Sequence, residues 1–152
     1  MKKLRAVVQR VSCSEVCVDN NTIGKIDNGI NVLLGVEEGD TIDDAKYIAD
    51  KCVNLRIFED GDGKLNLSVK DVGGSILAIS QFTLLGDCRK GRRPSFITAA
   101  KPDVAFKLYK SFIELCSSYG IKVEEGKFQA NMSVRIDNEG PVTILLDSKK
   151  VF

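Results

Sequence analysis

Short runs rich in valine and isoleucine, separated by turn-forming residues, constrain the fold of this chain most. In the first third they occupy residues 6–11, 15–18, 22–26 and 30–36, and the residues between them include Asp, Asn, Glu and Gly. β-branched residues favour strands, whereas Asn, Asp and Gly favour turns. Residues 32–36 (VLLGV) are apolar throughout, which predicts a strand buried on both faces.

Two later segments have the periodicity of amphipathic helices. The first begins at Thr41 and ends near Asn54; Thr41 is a helix N-cap, and Asp44 is the acidic residue that favours such a start three positions later. Pro102 opens the second helix, and Gly120 is a C-cap residue. The apolar stripes are Ala45, Ile48, Ala49, Cys52 and Val53 in the first helix, and Val104, Ala105, Leu108, Phe112, Leu115 and Cys116 in the second.

Strands return after each helix. Residues 56–58 and 65–67 are predicted to form a hairpin, and residues 75–84 a buried strand. The predicted C-terminal strands are residues 122–125, 132–136 and 142–146, the last two joined by a corner at residues 137–141. This order predicts a single α+β domain over residues 1–152, with a mostly antiparallel, barrel-like β-sheet and two main α-helices.

Composition excludes several kinds of chemistry. The 22 basic and 21 acidic residues give a net charge of +1, which does not predict a general affinity for nucleic acid. The absence of histidine excludes Ser-His-Asp and Cys-His catalysis and histidine-ligated zinc within this chain. The five cysteines form no CxxC motif, so we expect reduced thiols and no metal or cofactor. No apolar run approaches the roughly 18 residues of a membrane span, so we expect a soluble, cytoplasmic protein.

The first segment that could carry chemistry is Ser80, Gln81, Phe82 and Thr83, at the end of the strand predicted for residues 75–84. Polar side chains in a buried strand either satisfy neighbouring backbone groups or face a cavity, and both interpretations are open. In a regular strand Gln81 and Thr83 face away from Ser80 and Phe82. The four residues can therefore share one pocket only if the strand ends, bulges or turns there.

The second segment is strongly basic. Arg89, Lys90, Arg92 and Arg93 place four cations within five positions. Such charges repel one another unless they are solvated or matched to phosphates, so a solvated loop and a phosphate-binding loop are both possible. A P-loop is excluded, because Arg92 and Arg93 follow Gly91 where that motif requires Lys and then Ser or Thr.

The third segment, residues 138–143 (NEGPVT), contains a Gly-Pro pair. Proline lacks a backbone N–H and favours turns and strand starts, so one interpretation is a hairpin corner. The other is a cis bond between Gly140 and Pro141, with exposed carbonyl groups that could grip a small polar group.

Together these segments make the chain resemble the D-aminoacyl-tRNA deacylase family of bacteria and eukaryotes. The likeness runs nearly from end to end, and the SQFT and GPVT motifs, in this order and separation, are highly specific. The resemblance is carried by residues 5–11 (RAVVQRV), 32–36 (VLLGV), 55–58 (LRIF), 66–69 (NLSV), 71–74 (DVGG), 80–84 (SQFTL), 89–96 (RKGRRPSF) and 138–143 (NEGPVT). It implies the barrel-like α+β fold of that family, a homodimer, and cofactor-free hydrolysis of the ester between a D-amino acid and the tRNA 3′ end.

The resemblance also implies how the two enantiomers are distinguished. Gly140 and Pro141, joined by a cis bond, would enter the pocket of the partner subunit, where their carbonyl groups hold the substrate α-amino group. The side chain of an L-amino acid would then clash with the protein. Glycine has no side chain to exclude and would pass this filter. Met132 would pack near the cis bond and position it.

The catalytic scheme implied by the resemblance needs no protein nucleophile. The 2′-OH of the terminal adenosine assists attack by water, and backbone N–H groups near Phe82 and Thr83 stabilise the oxyanion. Ser80 and Gln81 would shape the pocket and position the adenosine. The residues expected to contact the tRNA backbone are Arg89, Lys90, Arg92 and Arg93.

Several positions depart from the family pattern. Leu85 and Gly86 stand where Tyr and Ala are usual, Cys88 where Thr is common, and Gln129 where Gly is usual. These changes concern the size and side-chain preference of the pocket rather than the reaction. Two other functions are compatible with the sequence: a deacylase that acts mainly on glycine mischarged on tRNA, and a catalytically silent tRNA-binding module.

Overall fold

The elements of the computed structural model, which describes residues 3–152, follow the predicted order of strands and helices. They are β1 (Arg5–Val18), β2 (Asn21–Ile26), β3 (Gly29–Gly35), α1 (Ile42–Asn54), β4 (Phe58–Glu59), β5 (Leu65–Leu67), β6 (Ser75–Ser80), a 3₁₀ helix (Phe82–Leu85), α2 (Pro102–Ser117), β7 (Val123–Glu125) and β8 (Ser133–Asp147). No helix within residues 3–152 is both long and apolar enough to cross a membrane.

Strand β1 lies inside the sheet and pairs antiparallel along both edges. Strands β2 and β3 follow one another along one edge, and β8 runs along the other. Strands β6 and β7 extend the sheet beyond β3 in parallel, because the connections that contain α1 and α2 cross over between them. Strand β2 also contacts β6 and β7, which nearly closes the sheet. The predicted barrel-like α+β fold is therefore confirmed, with two parallel pairings in an otherwise antiparallel sheet.

The central strands bury side chains on both faces. Ile30 and Val32 of β3 pack into the larger apolar cluster, which contains the buried faces of α1 and α2. Leu33 packs against a smaller cluster on the opposite face, around Val11 and Leu77. This arrangement confirms the prediction that the apolar residues 32–36 form a strand buried on both faces. The predicted core cysteines, Cys52 and Cys116, are buried as well.

The N-terminal strands predicted separately at residues 6–11 and 15–18 form one strand, β1. Its pairing with β8 shifts register between Gln9 and Val11 and again between Val11 and Cys13. The polar residues between the two apolar runs do not end the strand, because partners on both edges accept and donate its backbone hydrogen bonds.

The hairpin corner predicted at residues 137–141 is also wrong, because β8 continues through it as one strand. Both halves of β8 pair with the same strand: Asn138 lies opposite Val11, and Thr143 lies opposite Gln9. Residues 139–142 therefore stand against Arg10 alone and form a bulge in β8. Turn-forming residues suit a bulge as well as a hairpin, so the sequence could not separate the two.

Candidate active site

The four residues 80–83 come together because strand β6 ends at Ser80. Gln81 makes the last hydrogen bond to the neighbouring strand, its N–H donating to the carbonyl of Leu34 at 2.8 Å. The 3₁₀ helix Phe82–Leu85 follows at once and replaces the alternation of a strand with a tight turn. The strand predicted through residue 84 is therefore wrong beyond Ser80, and this early end lets residues 80–83 line one cavity.

This cavity has a volume of about 570 Å³ and a largely apolar wall. Its polar lining consists of Ser80, Gln81, Thr83 and Gln129. None of the residues that line it, all within the described part of the chain, has an ionisable side chain. The other lining residues are Leu34, Val36, Phe82, Phe96, Ala99, Ala100, Pro102, Ala105, Phe128, Ala130 and Met132. A reaction in this cavity has no side-chain acid or base from the same chain.

The hydrogen bonds around the 3₁₀ helix leave two backbone donors free. The side-chain amide of Gln81 donates to the Thr83 hydroxyl at 3.0 Å. The N–H groups of Leu84 and Gly86 donate to backbone carbonyls, whereas those of Phe82 and Thr83 donate to no group within residues 3–152. The first N–H groups of a helix have no partner inside it. Phe82 and Thr83, which line the cavity, therefore carry unused donors.

Arg5, which sequence reasoning did not single out, supports the end of the 3₁₀ helix. Its Nη1 donates to the carbonyl of Leu84 at 2.8 Å, and its Nε lies 3.9 Å from the carboxylate of the buried Asp147. This side chain links β1, the end of β8 and the 3₁₀ helix. No local signal marks it, because its partners lie far away in sequence.

The predicted basic segment forms a loop whose two ends, Asp87 and Ser95, are hydrogen-bonded to each other; this pair is called the neck of the loop. Asp87 and Ser95 exchange backbone hydrogen bonds of 2.8 and 2.9 Å, and the rings of Phe82 and Phe96 pack edge to face with centroids 5.2 Å apart. The Arg89 guanidinium donates to both carboxylate oxygens of Asp87, at 3.0 and 2.8 Å. These bonds lower the pKa of Asp87 to about 2. The loop is thus attached to the aromatic wall of the cavity.

The basic side chains of the loop differ in their surroundings. Arg89 is paired with Asp87, whereas Lys90, Arg92 and Arg93 form no ion pair within residues 3–152. All four are exposed. Three charges are therefore available to an anionic partner, and the fourth is compensated within the loop.

Gly140 and Pro141 lie in the β8 bulge, outside the cavity of the same chain. Their peptide bond is cis, and both residues are exposed. The buried Arg10 supports the bulge: its Nε donates to the carbonyl of Glu139 at 3.2 Å and its Nη1 to that of Ile57 at 2.8 Å. Met132, in contrast, lines the cavity. Within one chain the predicted chirality filter and the predicted pocket are therefore separate.

The departures from the family pattern lie in different places. Leu85 is buried, and a Cβ on Gly86 would lie 3.1 Å from the Phe96 ring, so the glycine allows that ring to pack closely. Cys88 is exposed in the basic loop. Gln129 lines the cavity, with a backbone φ of +63° that is uncommon for a residue with a side chain. Of these four, only Gln129 lines the cavity.

A family model and curated relatives both match this chain over nearly its whole length. Residues 7–147 match the family model of the D-Tyr-tRNA(Tyr) deacylases. A D-aminoacyl-tRNA deacylase of Fervidobacterium nodosum is 62% identical over 149 residues, covering 98% of this chain and 100% of that protein. The one of Natranaerobius thermophilus is 61% identical over 150 residues, with the same coverage.

Two solved structures share the fold. One, described as c-Myc DNA Unwinding Element Binding Protein, has a TM-score of 0.87 and 42% identity, and the match covers 93% of this chain and 97% of that chain. The other, a probable eukaryotic D-amino acid tRNA deacylase, has a TM-score of 0.81 and covers 95% and 99%. At 19% identity the second match shows the fold alone.

Proposed function

Because the chain belongs to the D-Tyr-tRNA(Tyr) deacylase family, we propose that it hydrolyses D-aminoacyl-tRNA to a free D-amino acid and tRNA, and that it rejects L-aminoacyl-tRNA. It is an aminoacyl-tRNA ester hydrolase. The observation that carries the proposal is the cavity lined by all four residues 80–83. Its volume of about 570 Å³ lies in the range of small-molecule sites.

The absence of an ionisable side chain among the described residues that line the cavity favours one of two mechanisms. A nucleophilic Thr83 would need a base, but its hydroxyl is hydrogen-bonded to the Gln81 amide nitrogen, a donor that takes no proton. We therefore assign the attack to water. The 2′-OH of the terminal adenosine assists the attack, so the substrate supplies the group that the cavity wall lacks.

Two residues are proposed to stabilise the transition state. Attack of water on the ester carbonyl places negative charge on its oxygen, and preorganised backbone N–H groups stabilise such a charge. The free N–H groups of Phe82 and Thr83 are the donors that this step requires. Ser80 and Gln81 line the same cavity and are proposed to position the adenosine.

The chirality filter is proposed to act between two subunits of a homodimer. Gly140 and Pro141 project from β8, are exposed, and lie outside the cavity of their own chain. Within residues 3–152, β8 pairs only with β1, so its other edge is free to meet a second copy. Inserted into the partner's cavity, the two carbonyl groups would hold the α-amino group, and an L side chain would meet the protein. Met132, which lines that cavity, would then pack beside the inserted bulge.

The filter has a consequence for glycine. Exclusion acts on the side chain of an L-amino acid, and glycine has none, so glycyl-tRNA is proposed as a second substrate. The tRNA backbone itself is proposed to contact the basic loop, in which Lys90, Arg92 and Arg93 carry uncompensated charges and Arg89 is paired with Asp87.

Parallel hydrolysis assays of D-Tyr-tRNA, L-Tyr-tRNA and Gly-tRNA, with EDTA present, test the proposal. We expect rapid loss of the D-Tyr and Gly esters and no effect on the L-Tyr ester beyond the uncatalysed rate. Hydrolysis of both Tyr enantiomers would contradict the filter. Hydrolysis of Gly-tRNA alone would indicate a glycine-directed deacylase, and binding without turnover would indicate a tRNA-binding module.

A further inference from the structure

A second groove opens beside the active-site cavity. Its volume is about 490 Å³, and the residues that line it are Pro102, Asp103, Phe106, Lys127, Phe128 and Gln129. Pro102, Phe128 and Gln129 line both spaces, so the groove adjoins the cavity. The proposed reaction uses none of the three residues that belong to the groove alone, which are Asp103, Phe106 and Lys127.

The groove combines an aromatic surface with a positive charge. The rings of Phe106 and Phe128 have centroids 5.1 Å apart, and Phe106 is 38% exposed although it lies on the apolar side of α2. Lys127 directly precedes Phe128 in the chain, is exposed, and forms no ion pair within residues 3–152. Aromatic rings that stack with bases and cations that face the backbone are the usual components of sites for single-stranded nucleic acid.

Gln129 stands where the groove meets the cavity. It adopts a φ of +63°, a left-handed conformation that residues with a side chain rarely occupy. Backbone conformations of this kind concentrate at functional sites. The side chain is exposed, and its amide makes no hydrogen bond within residues 3–152. An amide offers both donors and an acceptor to the edge of a base.

We propose that this groove binds the nucleotide that precedes the terminal adenosine; this inference rests on the proposed function. If the cavity holds the ester and the adenosine, the RNA strand must leave through an opening, and the groove adjoins the cavity along three shared lining residues. Because tRNA ends in CCA, the occupant is a cytidine. Its base would stack on Phe106 and Phe128, and Lys127 would face the phosphate that joins the two nucleotides. The Asp103 carboxylate can accept a hydrogen bond from the cytosine amino group.

Two small esters test the proposal. D-tyrosyl-adenosine lacks the preceding nucleotide, and D-tyrosyl-cytidylyl-adenosine carries it. We expect the protein to prefer the dinucleotide ester by about tenfold in kcat/KM, through a lower KM, since stacking of the extra base on aromatic side chains stabilises the bound substrate. Phe106→Ala and Lys127→Ala should each reduce this preference. Val104→Ala is the matched control, because Val104 is 40% exposed on the same helix and does not line the groove.

Failure of the cytidine subsite and failure of the deacylase activity give different results in these assays. Equal kcat/KM for the two esters, or a preference that survives both groove substitutions, would overturn the cytidine subsite while leaving the deacylase activity in place. No turnover of either ester or of D-Tyr-tRNA would overturn both. If Phe106→Ala does not fold, the exposed Lys127→Ala variant still decides the question.

Discussion

At the scale of single residues, the chemistry of the candidate site depends on what the side chains lack. Thr83 lines the cavity, but its hydroxyl accepts a hydrogen bond from the Gln81 amide and contacts no base within residues 3–152. The neighbouring backbone donors are free. We therefore propose that the site works through backbone N–H groups, which side-chain substitutions do not remove.

The Thr83→Ala variant tests this interpretation. Removal of the hydroxyl leaves the backbone N–H in place, so we expect kcat for D-Tyr-tRNA to stay within about tenfold of the original value. A substrate whose terminal adenosine lacks the 2′-OH should lose about a hundredfold or more. A loss of more than about a hundredfold in the variant would place the Thr83 hydroxyl among the catalytic groups. Normal hydrolysis of the 2′-deoxy substrate would contradict the RNA-assisted scheme.

Asp40 is a second residue whose surroundings give a measurable prediction. Its carboxylate accepts the Glu37 N–H at 2.7 Å, and its other oxygen is buried without a hydrogen-bond partner within residues 3–152. Burial raises the pKa of Asp40 to about 7. The hydrogen bond from the Glu37 N–H opposes the rise, the nearby charges of Asp44 and Glu37 add to it, and Lys149 opposes it. The adjoining backbone pairs with the cavity wall, since Ala100 N–H donates to the Val36 carbonyl.

The sign of the pH dependence follows from this pKa. Between about pH 4 and pH 7 the folded protein keeps a proton on Asp40 that the unfolded chain releases, so this residue lowers the free energy of unfolding as pH rises. In Asp40→Asn this contribution disappears, and the variant should gain stability relative to the original protein from pH 4 to pH 7. Urea unfolding at several pH values measures the difference. Asp62→Asn, at an exposed turn position, is the control, and an equal change in both variants would contradict the assignment.

At the scale of elements, the basic loop separates structural from free charges. The backbone bonds between Asp87 and Ser95 close the neck, and Arg89 is paired within it. The charges of Lys90, Arg92 and Arg93 lie beyond the neck and are uncompensated. Four cations that look equivalent in sequence therefore have two different surroundings.

The salt dependence of tRNA binding distinguishes the paired Arg89 from the cations without an ion pair. Arg92→Ala and Arg93→Ala should each reduce the log–log salt slope of tRNA binding by about 0.7, the value for one phosphate on a single strand. Arg89→Ala should change the slope less, because Asp87 already compensates that charge. Equal slopes for all three variants would show that the pairing seen in the free protein does not persist on tRNA.

At the scale of the whole molecule, one chain holds both halves of the proposed site but does not bring them together. The cavity is formed where β6 ends, whereas the Gly140–Pro141 bulge belongs to β8 and lies outside that cavity. A second copy would complete the arrangement. Chiral selection is then a property of the dimer rather than of the chain.

Mixed dimers test whether the bulge acts across the interface. Gly140 has a φ of +126°, and a Cβ there would lie 3.0 Å from the Val142 nitrogen and 3.1 Å from Arg10, so Gly140→Ala must shift the bulge. We expect its homodimer to lose at least about tenfold in D-over-L selectivity. Ala105→Trp should block the cavity, since Ala105 lines it.

In a dimer of one Gly140→Ala chain and one Ala105→Trp chain, the single open cavity receives the intact bulge. Co-expressed, differently tagged chains should therefore hydrolyse D-Tyr-tRNA and leave L-Tyr-tRNA intact. Continued hydrolysis of the L ester by the mixed dimer would show that the bulge acts within its own chain or not at all.

The sequence by itself determined the two helices, the regions that form strands and the motifs that they carry. Patterns along the chain predicted both helices, the strand of residues 32–36 and the barrel-like α+β class, because apolar periodicity depends on near neighbours. The SQFT and GPVT motifs indicated the family for the same local reason. The sequence also stated the condition for a shared pocket at residues 80–83, but could not decide whether the strand ends there.

Only the tertiary structure decided how distant segments meet. The bulge at residues 139–142 exists because both halves of β8 pair with β1, whereas the same turn residues would equally suit a hairpin. The end of β6 at Ser80, the bond from Arg5 to Leu84 and a cavity without ionisable side chains likewise depend on contacts between segments far apart in the chain. Register and side-chain pairing are fixed by non-local packing and hydrogen bonding, which local preferences do not contain.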